Sequence, residues 1–504
     1  MRILSSIFVA MLVSAIALGQ SQGDGSAAAA VSSATLPAIA GPSSSSASFA
    51  SASSSSASTS AAPAAAYGYI PFAGSSQGAE ADVDSSNPNT PWLPVLINGE
   101  TPSAAFAGEL ERNNQISGGM TVASGYDENA LTQNGGQVDN ASVSFLPSLS
   151  WEQSRPHGLF DLSYSPGFTV NQALPELNSS TQNAGMNSQL RLTENLTWRI
   201  RDAFVATNNG WTNTTADAPG SVLHEPSQPV LMPLARTVSN LAASDLIYQI
   251  GAGTIVGGTG SYSLLSYGNL QSGPGAELGV NLIDSRTTGA EIFYQHRILP
   301  KHWIGLTYSF QRLSFDGGLE ETQSHSALLF DTITIQSHLT LSLFGGATHS
   351  LTNGQVALVT SGTTATAGSA QWSPSAGVML GWEGTHTAVS ATFSRRVESG
   401  GGILGTVDRY SGIATVRRQF SPNWTGAINF IYDSNRPLDG AEGEYRTLSG
   451  SASAERRIGR QMAAAASYTR VHQTYGVVIP TQLFPDHNRA MVSVSYFFSR
   501  PLGR

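Results

Sequence analysis

The chain has 504 residues, of which 12% are charged and 40% hydrophobic, with 52 glycines, no cysteine and a formal net charge of −9. The lack of cysteine excludes disulfides, thiolate metal sites and a lipid-anchored N-terminal cysteine, and with Lys301 as the single lysine there is no basic patch for nucleic acid. Soluble domains usually carry about 25% charged residues, so a chain this long and this poor in charge fits one large closed sheet better than several soluble domains.

Residues 1–19 read as a secretory signal peptide: Arg2 supplies the positive start, Ile7 to Ile16 the apolar run, and Ala17-Leu18-Gly19 the small residues for cleavage. From Gln20 to Ala66 the sequence is nearly all Ser and Ala, with too little bulk to bury, and is expected to be a disordered tether. Residues 67–112 place Tyr67, Tyr69, Phe72 and Trp92 among prolines and glycines. They fit an extended periplasmic segment or a small plug, and their Pro, Gly and Ser content favours the former. No apolar run beyond the N-terminus approaches the ~20 residues of a spanning helix. Membrane insertion would therefore be by strands.

From Gln115 a period of two takes over, the signature of strands with two unlike faces. Ile116, Met120, Val122 and Tyr126 form the first greasy face, ending at Asp127-Glu128-Asn129. In 141–168, Val143, Phe145, Pro147, Leu149 and Trp151 alternate with serines, break at Ser154-Arg155-Pro156-His157, and resume as Phe160, Leu162, Tyr164 and Phe168. This is a hairpin with one greasy and one hydroxyl face. Further strands follow around Leu190, Trp198 and Phe204. In 236–250 the spacing of Leu234, Val238 and Leu241 hints at a helix, but Leu246, Tyr248 and Ile250 alternate. An antiparallel meander needs a strand there to keep its neighbours antiparallel.

The remaining turns fall at Leu299-Pro300-Lys301, Ser337, Gly384-Thr385, Ser421-Pro422-Asn423 and Ile458-Gly459. Connections at the other end are long and polar, near 171–183, 208–235, 270–282, 350–368, 435–443 and 474–486, with shorter ones near 315–323 and 399–403. Short turns on one side, long loops on the other and aromatics near strand ends are the pattern of membrane barrels. The expected fold is all-β: a closed antiparallel up-and-down transmembrane β-barrel of about 18 strands (16–18) over residues 113–500, preceded by the disordered N-terminal segment. Tyr126, Trp151, Trp198, Tyr267, Trp303, Trp382, Trp424, Tyr496 and Phe498 are the expected interface aromatics. With the greasy set facing lipid, the lumen receives Asp161, Arg199, Arg201, Glu291, Gln295, Arg297, Gln311 and Asn429. Arg199 and Arg201 share a face, either as a positive patch or paired with acids across strands. Asp202 and Arg395 fall on the lipid register, where charge is costly at mid-depth; they belong near an interface, or the register slips.

In the last strand Val492, Val494, Tyr496 and Phe498 alternate with Ser493, Ser495 and Phe497. It resembles the C-terminal sorting strand that the barrel-assembly machinery reads in bacterial outer-membrane proteins, with the departure that Ser499 to Arg504 trails the aromatic. Gly125-Tyr126-Asp127-Glu128-Asn129, then Phe145-Leu146-Pro147-Ser148-Leu149-Ser150, then Leu162-Ser163-Tyr164-Ser165-Pro166-Gly167, resemble the opening hairpins of the beta-barrel porin-2 type outer-membrane proteins. The match covers roughly 50 residues, and this chain has Asp-Glu-Asn where the family often has Asp-Asp-Asn. The resemblance implies an outer-membrane location and a transport role, and some relatives are associated with exopolysaccharide secretion. It carries over no catalytic residue and no defined substrate.

No enzyme constellation stands out. Asp127 and Glu128 are adjacent on a strand end and point to opposite faces, and their loop has oxygen ligands without a calcium spacing. The ten histidines are scattered without zinc spacing, and Gly251-Ala252-Gly253 opens no phosphate-binding helix. Neither a metal nor a cofactor is expected. The leading expectation is a passive channel or export conduit for small polar solutes or polysaccharide, with outer-membrane lipid and the assembly machinery as partners. A barrel with a blocked lumen that displays loops or anchors an assembly, a soluble secreted β-protein and an outer-membrane hydrolase are the competing readings.

Overall fold

The computed structural model describes residues 113–502, apart from 129–138, 208–235, 269–282, 317–319, 358–363, 401–404, 439–443, 476–485 and a few shorter breaks. The segments read as signal peptide, tether and plug lie outside the described residues.

The strands are β1 (Asn113–Glu128), β2 (Asn140–Arg155), β3 (Gly158–Asn171), β4 (Ser179–Arg191), β5 (Leu196–Thr207) and β6 (Thr237–Gln249). Next come β7 (Thr254–Tyr267), β8 (Ser285–Leu299), β9 (His302–Phe315), β10 (Glu320–Gln336), β11 (Leu339–Ala357) and β12 (Thr364–Thr366). The last are β13 (Ser369–Glu383), β14 (Thr387–Ser399), β15 (Thr406–Ser421), β16 (Trp424–Pro437), β17 (Tyr445–Ile458), β18 (Met462–Tyr475) and β19 (Asp486–Pro501). Among the described residues there is no α-helix. Each long strand pairs antiparallel with its chain neighbours, and β1 pairs with β19 from Gln115 opposite Pro501 to Glu128 opposite Asn488. Because β11 pairs directly with β13, the three-residue β12 stands outside the ring on the end of β11. The result is a closed barrel of 18 strands.

The 236–250 stretch is strand β6, with Leu241 buried on the inner face and Leu246 and Tyr248 exposed on the outer one. The connection expected at 350–368 is partly strand, since β11 continues to Ala357 and β12 pairs with it. Asn353-Gly354-Gln355 interrupts the alternation that Leu351 carries, so the period of two stops short of the strand's end. One end of the barrel carries tight turns, such as Pro156-His157 and Pro300-Lys301; the other carries the long connections. Here they are called the turn end and the loop end.

The two faces separate as the period-two pattern requires. Asn140, Ser142 and Ser144 are buried on the inner face of β2 while Val143 and Leu149 are exposed on the outer one. Ile292, Leu306, Leu329 and Ile428 are each more than half exposed around the wall. An outward, mainly apolar belt on a closed sheet, with the ladders paired between neighbouring strands, suits hydrocarbon. The ladder is interrupted between β2 and β3, which pair at Phe145–Phe168 and again only at Leu149–Tyr164. Pro147 and Pro166 lie in this gap, and neither has an N–H to donate.

Candidate permeation pathway

Every residue expected to line the lumen sits on the inner register. Asp161 on β3 stands opposite Glu152 of β2. Arg199 and Arg201 are two apart on β5, and Arg201 donates to both carboxylate oxygens of Asp245 on β6, at 3.2 and 2.9 Å. Their side chains are 9% and 0% exposed, so of the two readings of Arg201 the cross-strand pair holds. Glu291 and Gln295 are buried on β8, and Arg297 lies 5.6 Å from the Trp303 ring centroid. Gln311 lines the cavity described below, and Asn429 donates to the Ser451 hydroxyl at 3.3 Å.

Two of the expected interface aromatics lie elsewhere. Trp303 is 5% exposed and packs inward with Ile247, Ile255 and Phe293 in an apolar cluster near the turn end. Its register is that of Thr307 and Ser309, opposite in sign to Ile304, Leu306 and Tyr308. Tyr267 stands opposite the buried Thr237 on the inner register of β7, one residue out of phase with the outward Ser266 and Leu264. Nearness to a strand end suggested the interface; parity decides the face. The others face outward: Tyr126 at the loop end, where its hydroxyl donates to Asp139, and Trp151, Trp198, Trp382, Trp424, Tyr496 and Phe498 toward the turn end.

Asp202 and Arg395 both remain on the outer face without a slip in register. Arg395 sits near the loop end, paired with Asp408 at 2.6 Å and stacked over Tyr410 at 4.9 Å. Asp202 is mid-strand, where Asn240 donates to it at 2.7 Å.

The inner wall from β8 to β16 holds a charged cluster that the alternation marked only implicitly. Arg409 on β15 donates to Glu398 on β14 at 2.9 Å and to Asp433 on β16 at 2.7 Å. Arg396, also inward on β14, lies 5.0 Å from the Phe344 ring of β11. Arg396, Glu398 and Glu291 share a cavity of about 50 Å³ whose wall also carries Thr307, Ser309, Gln311, Ser326, Thr348 and Ser375. Room for the rings is made by glycine: a Cβ on Gly305 would lie 2.2 Å from Cζ of Phe330 and 2.5 Å from the Tyr294 carbonyl oxygen.

At the loop end this arc closes on itself. The Ser399 hydroxyl donates to that of Ser285 at 3.3 Å, although four barrel strands separate β14 from β8. The backbone N–H of Thr406 donates to Glu320 Oε1 at 3.2 Å, and the Thr406 hydroxyl to that of Thr322 at 2.7 Å. Non-neighbouring walls therefore touch, and the mouth is narrowed along β8–β15. Contacts between strands this far apart in the ring leave no trace in a period of two.

No family model matches the chain, and no curated protein matches it. Among solved structures, the outer membrane protein opdK of Pseudomonas aeruginosa is 12% identical, covering 78% of this chain and 100% of its own, with a TM-score of 0.38. OccAB4 of Acinetobacter baumannii is 9% identical, covering 77% of this chain and 99% of its own, at a TM-score of 0.41. The ferric citrate transporter FecA in its unliganded form is 14% identical, covering 77% and 64%, at 0.39. Likeness at these scores lends no weight to a function. The 18 paired strands agree with the closed β-barrel that the porin-2 resemblance implies; the exopolysaccharide association rests on that resemblance alone.

Proposed function

We propose that this protein is an outer-membrane channel for small polar solutes. The observation that carries the reading is the sorting of faces: a closed 18-strand ring with an apolar belt outside and hydroxyl, amide and paired charged groups inside. A ring of 16–18 strands leaves an aqueous lumen unless it is filled. The charged cluster at β14–β16 supplies both signs at one narrow place, which suits hydrated, uncharged or zwitterionic solutes better than large ions of one sign. The outer belt takes lipid as its solvent, and β19, with Tyr496 and Phe498 outward, is the strand offered to the assembly machinery. Purified full-length protein in a planar bilayer tests this. Stepwise conductance is expected, and a bilayer that stays silent at every voltage overturns it.

A second reading, a barrel that displays its loops over a blocked lumen, is favoured by one feature, the wall-to-wall contacts of Glu320 with Thr406 and Ser285 with Ser399. Conductance separates the two. Neither reading asks for a catalytic residue or a cofactor.

A further inference from the structure

The outer wall is not uniformly greasy. At mid-height β8, β9 and β10 present Ile292, Leu306 and Leu329, exposed by 63%, 55% and 56%. Strands β4 to β7 differ. Asp202 lies four positions beyond Trp198 on β5, which with ~3.3 Å per residue and a tilt of about 40° puts it roughly 10 Å into the hydrocarbon from the level of that indole. Met186 of β4 and Ala242 of β6 stand opposite it. Asn240 donates to Oδ1 of Asp202 at 2.7 Å, and the Trp198 indole N–H donates to the Ser244 hydroxyl at 2.9 Å. Ala184, Ala242, Gly258 and Gly260 leave the wall between them shallow.

A carboxylate, an amide and a hydroxyl facing lipid at mid-depth are costly, because hydrocarbon returns no hydrogen bond. They suit another protein surface. The area reaches the low end of what a stable interface needs: four strands at ~4.8 Å spacing, tilted about 40° so that each takes ~6.3 Å of the circumference, across a belt about 25 Å tall give roughly 600 Å² per partner, against the ~1,200 Å² total at which standard interfaces begin. The groups are also self-complementary. Two copies in one membrane share a direction, so a two-fold between them must run along the membrane normal. An axis passing between β5 and β6 sets each β5 against the other copy's β6 at equal depth. Asp202 of each copy then meets the Asn240 strand of the other, Trp198 of each meets the outward Leu246 of the other's β6, and the alanines and glycines of β4, β6 and β7 let the two walls approach.

We propose that the β4–β7 outer wall is the docking face for a second copy of this chain, with Asp202 and Asn240 exchanged about a two-fold between β5 and β6. The proposal rests on the membrane reading above only in placing this wall in lipid. The chain has no cysteine, so one introduced thiol is unique. In full-length protein in native outer membranes, Ala242→Cys is expected to give a dimer with a short bismaleimide, while Leu306→Cys on another wall stays monomeric. In mild detergent, light scattering is expected to give twice the chain mass for the unaltered protein and the single mass for Ala242→Trp, both remaining folded by heat-modifiable migration on gels. A monomer without substitution, a ring of three or more, equal cross-linking at Leu306→Cys, or an adduct to a different protein would each overturn the proposal. A monomeric barrel that still needs detergent for extraction overturns the dimer alone, whereas extraction by urea overturns the membrane reading as well.

Discussion

Two arcs of the inner wall are built on opposite terms. From β8 to β16 the inner face holds Glu291, Arg396, Glu398, Arg409 and Asp433, with Phe330 and Phe344 packed over glycines, and its loop end is drawn together by Glu320 and Thr406. From β17 to β19 the middle of the inner face is small, with Ser449, Ser451, Ser453, Ala463, Ala465, Ser467, Thr469, Ser493 and Ser495, and charge sits toward its ends: Glu455 and Arg457 at the turn end, His487 and Arg489 beside Asp127 at the loop end. The first arc spends buried charge and close packing on a narrow, chemically marked passage. The second presents hydroxyls and methyls at mid-height and keeps its charge at the two rims. The contacts between non-neighbouring strands described above, Ser399 with Ser285 and Thr406 with Glu320 and Thr322, belong to the first arc.

Breaking the first arc at its charged centre has the largest expected effect. Arg409→Ala strands Glu398 and Asp433 in a buried site, and removing one partner of such a cluster costs about 3–5 kcal/mol. Ser467→Ala on the second arc is expected to change stability by less than about 0.5 kcal/mol. Urea or guanidinium unfolding of both variants in the same detergent measures the contrast, and equal losses would erase it. Next in size is packing. Gly305→Ala forces a Cβ against Phe330 and the Tyr294 carbonyl and is expected to cost about 1–3 kcal/mol by overpacking. Gly450→Ala, whose Cβ would meet nothing within 4 Å, is expected to be neutral or slightly stabilising.

The mouth offers a functional comparison of similar energy. Glu320→Ala removes the acceptor of the Thr406 N–H, a charge-assisted hydrogen bond worth about 1.5–3 kcal/mol. Single-channel conductance is expected to rise as the pinched mouth loosens. An unchanged conductance would mean that the narrowing along β8–β15 does not limit flow.

The smallest effect lies in the connection between β16 and β17. Arg446, hydrogen-bonded to Glu444 at 2.8 and 2.9 Å, together with the Ser434 hydroxyl and nearby Arg436, holds the Glu444 carboxyl down at about 2. A depressed carboxylate stabilises the folded form fully above its unfolded value, in the usual carboxylate range, and that contribution fades as pH falls toward 2. Both arginines are more than half exposed, so the gain is screened. Unfolding midpoints at pH 6 and pH 3 are expected to differ less in Glu444→Gln than in the unaltered chain.

The ring, the short turns and the facing of the hairpins were legible because alternation is a local property, carried by residues such as Val143, Ser144 and Phe145. Parity would also have placed Trp303 and Tyr267 correctly, since Ile304 and Leu264 beside them are greasy. Proximity to the strand end outweighed it. The same parity puts Arg396, Glu398 and Arg409 inward, yet nothing in one strand says that Arg409 reaches Asp433 and Glu398 on either side. The contacts of Ser399 with Ser285 and of Thr406 with Glu320 depend on which distant strands the closed ring brings together, which no single strand encodes. Asp202 was visible as an anomaly of the lipid register. Its partner Asn240 lay past a connection of nearly thirty residues.

The seam between β1 and β19 also sets the order of events during synthesis. Its paired residues, such as Met120 with Tyr496, are almost the full barrel apart in the chain. Every other barrel ladder joins strands that follow one another in the chain; this one needs the last strand before it can form. Until then β1 and whichever strand is newest present unpaired backbone along their edges, an arrangement prone to aggregation in water and intolerable in hydrocarbon. A chain cut short before Asp486 would never be rid of those edges, so one ladder separates a finished barrel from an open sheet.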